Sequence, residues 1–412
     1  MRVMFMNAAE REQPPSSART ADPRTQNRSA FARLNELLAP IEPGKPAINC
    51  AIGEPQHPVP AFAGPVFAKH IAELGKYPAN KGTELFRKSV TGWLSRRYAL
   101  PRPLDPESEV LVLNGTREGL FLAALAAARN AAPRAGRPAI LVPNPCYGAY
   151  SAGASASHCE TVYMPATAAS DFLPDLDALD DALLARTIAF YIASPANPQG
   201  SVASRDYLTR LVALARKHDF MVFSDECYSE IYFGEKPTGI LEVAGADYSN
   251  AIAFNSLSKR SNLPGLRVGF VAGDREFLTR FLEYRNNSAP QVPMPAQAVA
   301  AAALDDEMHV IENRKAYAQK FDLADQIVGD RYGYKRPPGG FFLWLDVSAQ
   351  GGSVTVTERL WREAGLRVLP GEFASFTDAD GNNPGRDYIR IAMVHDNATT
   401  AEALHRLVSV LG

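Results

Sequence analysis

Lys259 follows a short apolar run, Ala251 to Phe254, with Ser256 and Ser258 just before it and Arg267 shortly after. Lysine is the side chain whose amine turns nucleophilic when burial or a neighbouring cation strips its proton. The two hydroxyls and the guanidinium beside it answer a phosphate, the guanidinium through a bidentate fork. The stretch NSLSKRSNLPGLRVGF, Asn255 to Phe270, therefore suits a covalently held cofactor that carries both an aldehyde and a phosphate, namely pyridoxal 5'-phosphate. Alone, such a segment is more often an ordinary solvated loop, so the reading depends on what else the chain supplies.

Three further clusters supply it. NGTREG opens a helix with Gly115, Thr116 and Arg117, where free N–H groups and the helix dipole make an anion site. SPANPQG holds Asn197 between Pro195 and Pro198, a stiff presentation of one amide. SDECYSE places Asp225 at a strand end with Tyr228 just beyond. A pyridine ring is an electron sink only while its nitrogen stays protonated, and Asp225 is a carboxylate able to hold that proton. Asn197 and Tyr228 are both able to hydrogen-bond the ring's phenolic oxygen. Each cluster alone also reads blandly, as a turn, a helix cap, a Pro-rich loop or an Asx turn.

The elements that must position these residues follow from periodicity. Phe31, Leu34, Leu37 and Leu38 fall at helical spacing before Pro40, and Ile48 to Pro55 is an extended piece. From about 65 to 294 short apolar runs alternate with amphipathic helices. The runs are Val110 to Leu113, Ala139 to Val142, Ile188 to Ala193, Phe220 to Phe223, Ile252 to Phe254 and Val268 to Ala272. Thr116 to Asn130 and Ser204 to His218 read as helices, the second with Ser204 as N-cap. The expected fold is α/β, a mostly parallel sheet covered by helices, with ligands beyond the carboxyl ends of the strands. Residues 295–412 combine helices Ala296 to Leu304 and Met308 to Val328 with strands Gly340 to Asp346 and Tyr388 to Ile391 as a smaller α+β domain. Residues 29–64 form an arm joining it, and residues 1–28, rich in Arg, Ser and Pro, read as a flexible extension.

At 412 residues the chain exceeds what one core usually serves, and a net charge of -2 gives no basic footprint for nucleic acid. No apolar run reaches the roughly 20 residues of a membrane span. Cys50, Cys146, Cys159 and Cys227 lack CxxC spacing and read as reduced thiols of a cytoplasmic protein.

In order and placement the clusters resemble the fold-type I, class I/II aminotransferases, from about Phe31 to the C-terminus. SPANPQG, SDECY and NSLSKRSNLPGLRVGF correspond to that family's NPxG, DxxY and SxSK…R signatures. The resemblance implies that Lys259 carries the cofactor as a Schiff base, that Asp225 pairs with the ring nitrogen, and that Asn197 and Tyr228 bind the phenolic oxygen. It implies a phosphate site of Gly115, Thr116, Arg117, Ser256, Ser258 and Arg267, and a ring stacked on Tyr147 of NPCYGAY. Arg390 in DYIRIAM matches the arginine that clamps the substrate α-carboxylate, and Gly53 in AIGEP the glycine that lets it approach. Tyr77 in KYPANKG matches a tyrosine sent to the partner's phosphate, which implies a homodimer with shared sites. AIGEPQHP, KRSNLPGLR and FARLNELL resemble the branch that moves an amino group from glutamate to N-succinyl-2-amino-6-oxopimelate in lysine biosynthesis. Gln56, Arg260 and Asn262 are candidates to read the distal end of that acid. Aspartate, alanine and aromatic transaminases share the same residues. A carbon–sulfur lyase on the same fold and a cofactor-binding regulator are the competing classes, the latter disfavoured by the absence of a DNA-binding motif.

Overall fold

A computed structural model describes residues 29–134 and 136–412. The extension expected over 1–28 lies outside the described residues.

A seven-stranded sheet organises the larger part of the chain. Its strands are β2 (Val110–Leu113), β3 (Ala139–Asn144), β4 (Glu160–Pro165), β5 (Thr187–Ala193), β6 (Met221–Asp225), β7 (Ala251–Ser256) and β8 (Gly269–Gly273), with β1 (Ile48–Asn49) lying outside it. They run in the order β2-β8-β7-β6-β5-β3-β4, and only β8 is antiparallel to its neighbours. The strands read as unbroken apolar runs because both faces are covered. Alternate residues feed two separate cores: Val110, Val112, Ala251 and Ala253 enter one, and Leu111, Leu113, Ile252 and Phe254 the other. Helices Glu84–Arg97 and Arg205–His218 cover the first face, and Thr116–Asn130 and Arg275–Ser288 the second. Ser204 Oγ caps its helix by accepting from the Tyr207 N–H at 3.1 Å.

The reversed strand has a direct consequence for chemistry. Register pairs the start of β8, Gly269, with the end of β2, Leu113, and with the end of β7, Ser256. Arg267, which precedes β8, is thereby delivered to the edge at which β2, β5, β6 and β7 finish. β4 has no counterpart in the sequence reading. Four of its six residues are only half-buried at the sheet's edge, so its apolar signal is diluted.

The remaining chain builds a three-stranded antiparallel sheet of β9 (Phe342–Asp346), β11 (Leu369–Pro370) and β12 (Tyr388–Ala392), and a parallel pair of β1 with β10 (Leu366–Arg367). Ile48 and Cys50 share a core with residues of the long helix Met308–Ile327 and of the C-terminal helix Asn397–Leu411. Among the described residues no helix is long and apolar enough to cross a membrane.

Candidate active site

Nine chain segments converge on one cavity of about 360 Å³ beyond the carboxyl ends of β2, β3, β5, β6 and β7. Thr116, Arg117, Tyr147, Asn197, Asp225, Tyr228, Ser256, Ser258, Lys259, Arg267, Arg390 and Gly53 all line it. Strand ends gather ligands because the chain leaves the sheet there with unpaired backbone groups and adjacent helix N-termini.

Lys259 sits in the four-residue helix Leu257–Arg260, and its Nζ donates to the Gly53 carbonyl. Burial brings its amine down to about 8, so a free base is accessible near neutrality. At one end of the cavity Ser256 Oγ donates to Ser258 Oγ at 2.9 Å, with Thr116 and Arg267 nearby on the lining. Gly115 caps the helix Thr116–Asn130 with φ +73°, and a Cβ there would run into the Arg267 guanidinium. The absent side chain is what lets Arg267 lie against the helix N-terminus. Hydroxyls, an N-terminus and a guanidinium in one corner are a donor set for a phosphate.

Asp225 lies across from that corner. Its Oδ1 accepts from the Cys227 N–H at 3.1 Å, the local turn foreseen as the bland alternative. Its Oδ2 accepts from Tyr150 Oη at 2.6 Å, a contact that gives the turn a second use. Burial raises the Asp225 carboxyl, and these donors oppose the rise. Arg117 Nε donates to Tyr147 Oη at 2.6 Å and so braces that ring on the cavity lining.

Arg390 on β12 is buried, and burial lowers it to about 10. Nη1 donates to Asn197 Oδ1 at 2.9 Å and Nη2 to the Ala51 carbonyl at 2.6 Å, while Nε is buried with no partner among the described residues. Its guanidinium carbon stacks 4.4 Å from the Phe342 ring centroid. A buried cation held by neutral acceptors is suited to an incoming carboxylate. Gly53 is tight for its own reason: a Cβ would lie 2.7 Å from the Phe342 ring.

Some expectations move. Arg260 is buried against Trp93, donates to the Ala303 carbonyl and Glu307, and does not line the cavity. Asn262 is buried with φ +52°, and neither it nor exposed Gln56 lines the cavity. Arg260 and Asn262 are not placed to read a substrate's distal end, because the turn after Lys259 folds back into the protein, and Gln56 faces solvent outside the lining. Tyr77 is 96% exposed and away from this cavity. Residues not singled out from sequence also line it: Phe31, Ile52, Glu54, Tyr150, Cys227 and Phe342. Tyr150 lies three residues after Tyr147, and helical spacing was the available signal. Phe31 arrives from the helix Ala30–Leu38, a contact no local pattern announces.

The aminotransferase class I and II family profile matches residues 45–407. An LL-diaminopimelate aminotransferase of Syntrophobacter fumaroxidans is 31% identical over 389 residues, covering 92% of this chain and 95% of that protein. A crystal structure of an aminotransferase from Neisseria meningitidis superposes with a TM-score of 0.87 at 38% identity, covering 93% of this chain and 98% of that one. A probable N-succinyldiaminopimelate aminotransferase from Thermus thermophilus, 23% identical with a TM-score of 0.81, covers 93% of this chain and 100% of that one and shares the fold. With a lysine amine lowered to about 8, a buried carboxylate and a buried arginine around one cavity, the chain belongs to the class I and II aminotransferases, and it is a transaminase acting on amino and keto acids.

Proposed function

We propose that this transaminase works with pyridoxal 5'-phosphate and carries an amino group from glutamate to a diaminopimelate-type α-keto acid. The observation that carries the cofactor is the placement of Lys259, the Asp225–Tyr150 pair and the Ser256, Ser258, Thr116, Arg267 corner around one cavity. Lys259 would hold the aldehyde carbon, Asp225 the ring nitrogen, Asn197 and Tyr228 the phenolic oxygen, and the hydroxyl–guanidinium corner with Gly115 and Arg117 the phosphate. When bound, the cofactor supplies the electron sink for the Cα–H bonding pair. Arg390 binds the α-carboxylate and orients that bond, and its link to Asn197 ties carboxylate binding to the cofactor side of the cavity. Lys259 Nζ, released once the incoming amino group takes its place on the aldehyde carbon and lowered by burial to about 8, would then remove the α-proton as general base. Phe342, buried against the Arg390 guanidinium, keeps water from that side of the cavity.

For the acceptor, the sequence motifs favour N-succinyl-2-amino-6-oxopimelate. A second reading, the unsuccinylated keto acid with a free ammonium, is supported by Glu54, a carboxylate on the cavity lining with Arg260 turned away. We also propose a cytoplasmic homodimer in which exposed Tyr77 reaches the partner's phosphate corner. The test is the visible spectrum of purified protein titrated with glutamate and then with both pimelates, oxaloacetate and pyruvate. A band bleached by glutamate and restored best by a pimelate is expected. Best recovery with oxaloacetate or pyruvate would reassign the substrate, and a colourless protein that binds no added cofactor would remove the reading.

A further inference from the structure

Behind Lys259, away from the cavity lining, lies a hydrogen-bonded chain that the proposed reaction does not use. Asn313, buried on the helix Met308–Ile327, donates from Nδ2 to the carbonyls of Lys259 at 3.1 Å and Arg260 at 3.3 Å. Carbonyls only accept, so the amide orientation is settled and Oδ1 faces His57 Nδ1 at 2.6 Å. Nδ1 must then carry the imidazole proton, which leaves Nε2 as acceptor. The group facing Nε2, at 2.6 Å, is Lys320 Nζ, 1% exposed, whose ammonium is a donor. Each link of the chain therefore pairs one donor with one acceptor.

His57 lies four residues after Gly53, on the segment whose Gly53 carbonyl receives Lys259 Nζ. Asn313 thus grips both ends of that contact: the Lys259 main chain directly, and the Gly53 segment through His57. Ring packing completes the arrangement, with His57 4.7 Å from Tyr317, and Tyr317 stacked 5.2 Å from Phe341. Phe341 in turn lies 5.4 Å from Lys259 Nζ. Lys320 has no carboxylate within ion-pair distance among the described residues, and burial brings its ammonium down to about 8 against the opposing pull of Asp396. A buried ammonium without an anion is costly, and here it secures the neutral, Nδ1-protonated form of His57 that Asn313 requires.

We propose that His57, Asn313 and Lys320 are positioning residues for Lys259, holding its amine at the Gly53 carbonyl on the wall of the cavity. This rests on Lys259 being the reactive amine. The charged or titratable groups that face that amine are Cys227, Arg390, Glu54 and Arg267, and none belongs to the array. Losing the array therefore acts through position and hydration alone.

The experiment is competitive acetylation of Lys259 in cofactor-free protein against pH, read by peptide mass spectrometry. The wild-type amine is expected to gain reactivity as pH rises through about 8. His57→Phe keeps a ring against Tyr317 but loses both hydrogen bonds, and Asn313→Ala loses the grip. Both should move the midpoint up by about one pH unit, a tenfold smaller free-amine fraction near neutrality. His57→Asn, whose amide donates to Asn313 and has no tautomer to secure, should keep the wild-type midpoint. An unmoved midpoint in a folded His57→Phe protein overturns the proposal, as does an equal shift in His57→Phe and His57→Asn. A lowered melting temperature with an unmoved midpoint would assign the array to packing alone. The labelling needs no cofactor, so its failure is separate from failure of the cofactor reading, which the visible spectrum judges.

Discussion

Arg390 Nε is buried without a partner among the described residues, and the other two guanidinium nitrogens rest on neutral oxygens. An unmatched buried cation destabilises the ligand-free chain and is relieved when a carboxylate enters. Arg390→Ala should therefore raise KM for α-keto acids about 100-fold, from roughly 3 kcal/mol of charge-assisted hydrogen bonding. Steady-state kinetics with a keto acid and with the matching aldehyde, which has no carboxylate, would separate this from general damage. Unchanged keto-acid kinetics would remove the clamp. Asp225 shows how one residue satisfies two readings at once. Its Oδ1 closes the local turn with Cys227, while Oδ2 accepts a hydrogen bond from Tyr150, so the turn leaves the carboxylate aimed into the cavity.

At the scale of elements, the strand-to-helix turn at Gly115 decides whether the phosphate corner forms. Its φ of +73° and the guanidinium packed against its Cα leave no room for a side chain. Gly115→Ala should cost roughly 1–3 kcal/mol, because its positive-φ, extended conformation is open almost only to glycine, and should push Arg267 out of the corner. Equilibrium dialysis should then show weaker cofactor retention, by about 10-fold or more. Retention equal to wild type would place the phosphate elsewhere. The helix Thr116–Asn130 and strand β2 were legible in the sequence because an unbroken apolar run passes through Asn114 and Gly115 into a long stretch of Ala and Leu, which are strong helix formers. Edge strand β4 was not, since its half-buried residues dilute the pattern.

For the whole molecule, the residue to watch is Tyr77. A phenol that is 96% exposed, with Ile71 and Leu74 exposed on the adjoining turn, is an apolar surface of the kind a second copy covers. Tyr77→Phe should leave the proposed dimer intact in sedimentation velocity yet loosen the cofactor several-fold, because only the hydroxyl is removed. A monomeric wild-type protein that binds cofactor at full strength would reject the shared site.

The sequence alone determined which side chains gather at the strand ends, since Lys259, Asp225, Asn197 and Tyr228 lie at or just after the ends of their strands and parallel neighbours bring strand ends together whatever the loops do. It also determined the mostly parallel α/β class, because doubly covered strands have to be apolar throughout. Tertiary structure alone decided what lies far apart in the chain. The reversal of β8 delivers Arg267, β12 brings Arg390 within 2.9 Å of Asn197, and the first described helix sends Phe31 to the cavity mouth. It also turned Arg260 and Asn262 inward and assembled His57, Asn313 and Lys320 behind Lys259. Local periodicity records which face of an element is buried, and it carries no information about which distant element covers that face.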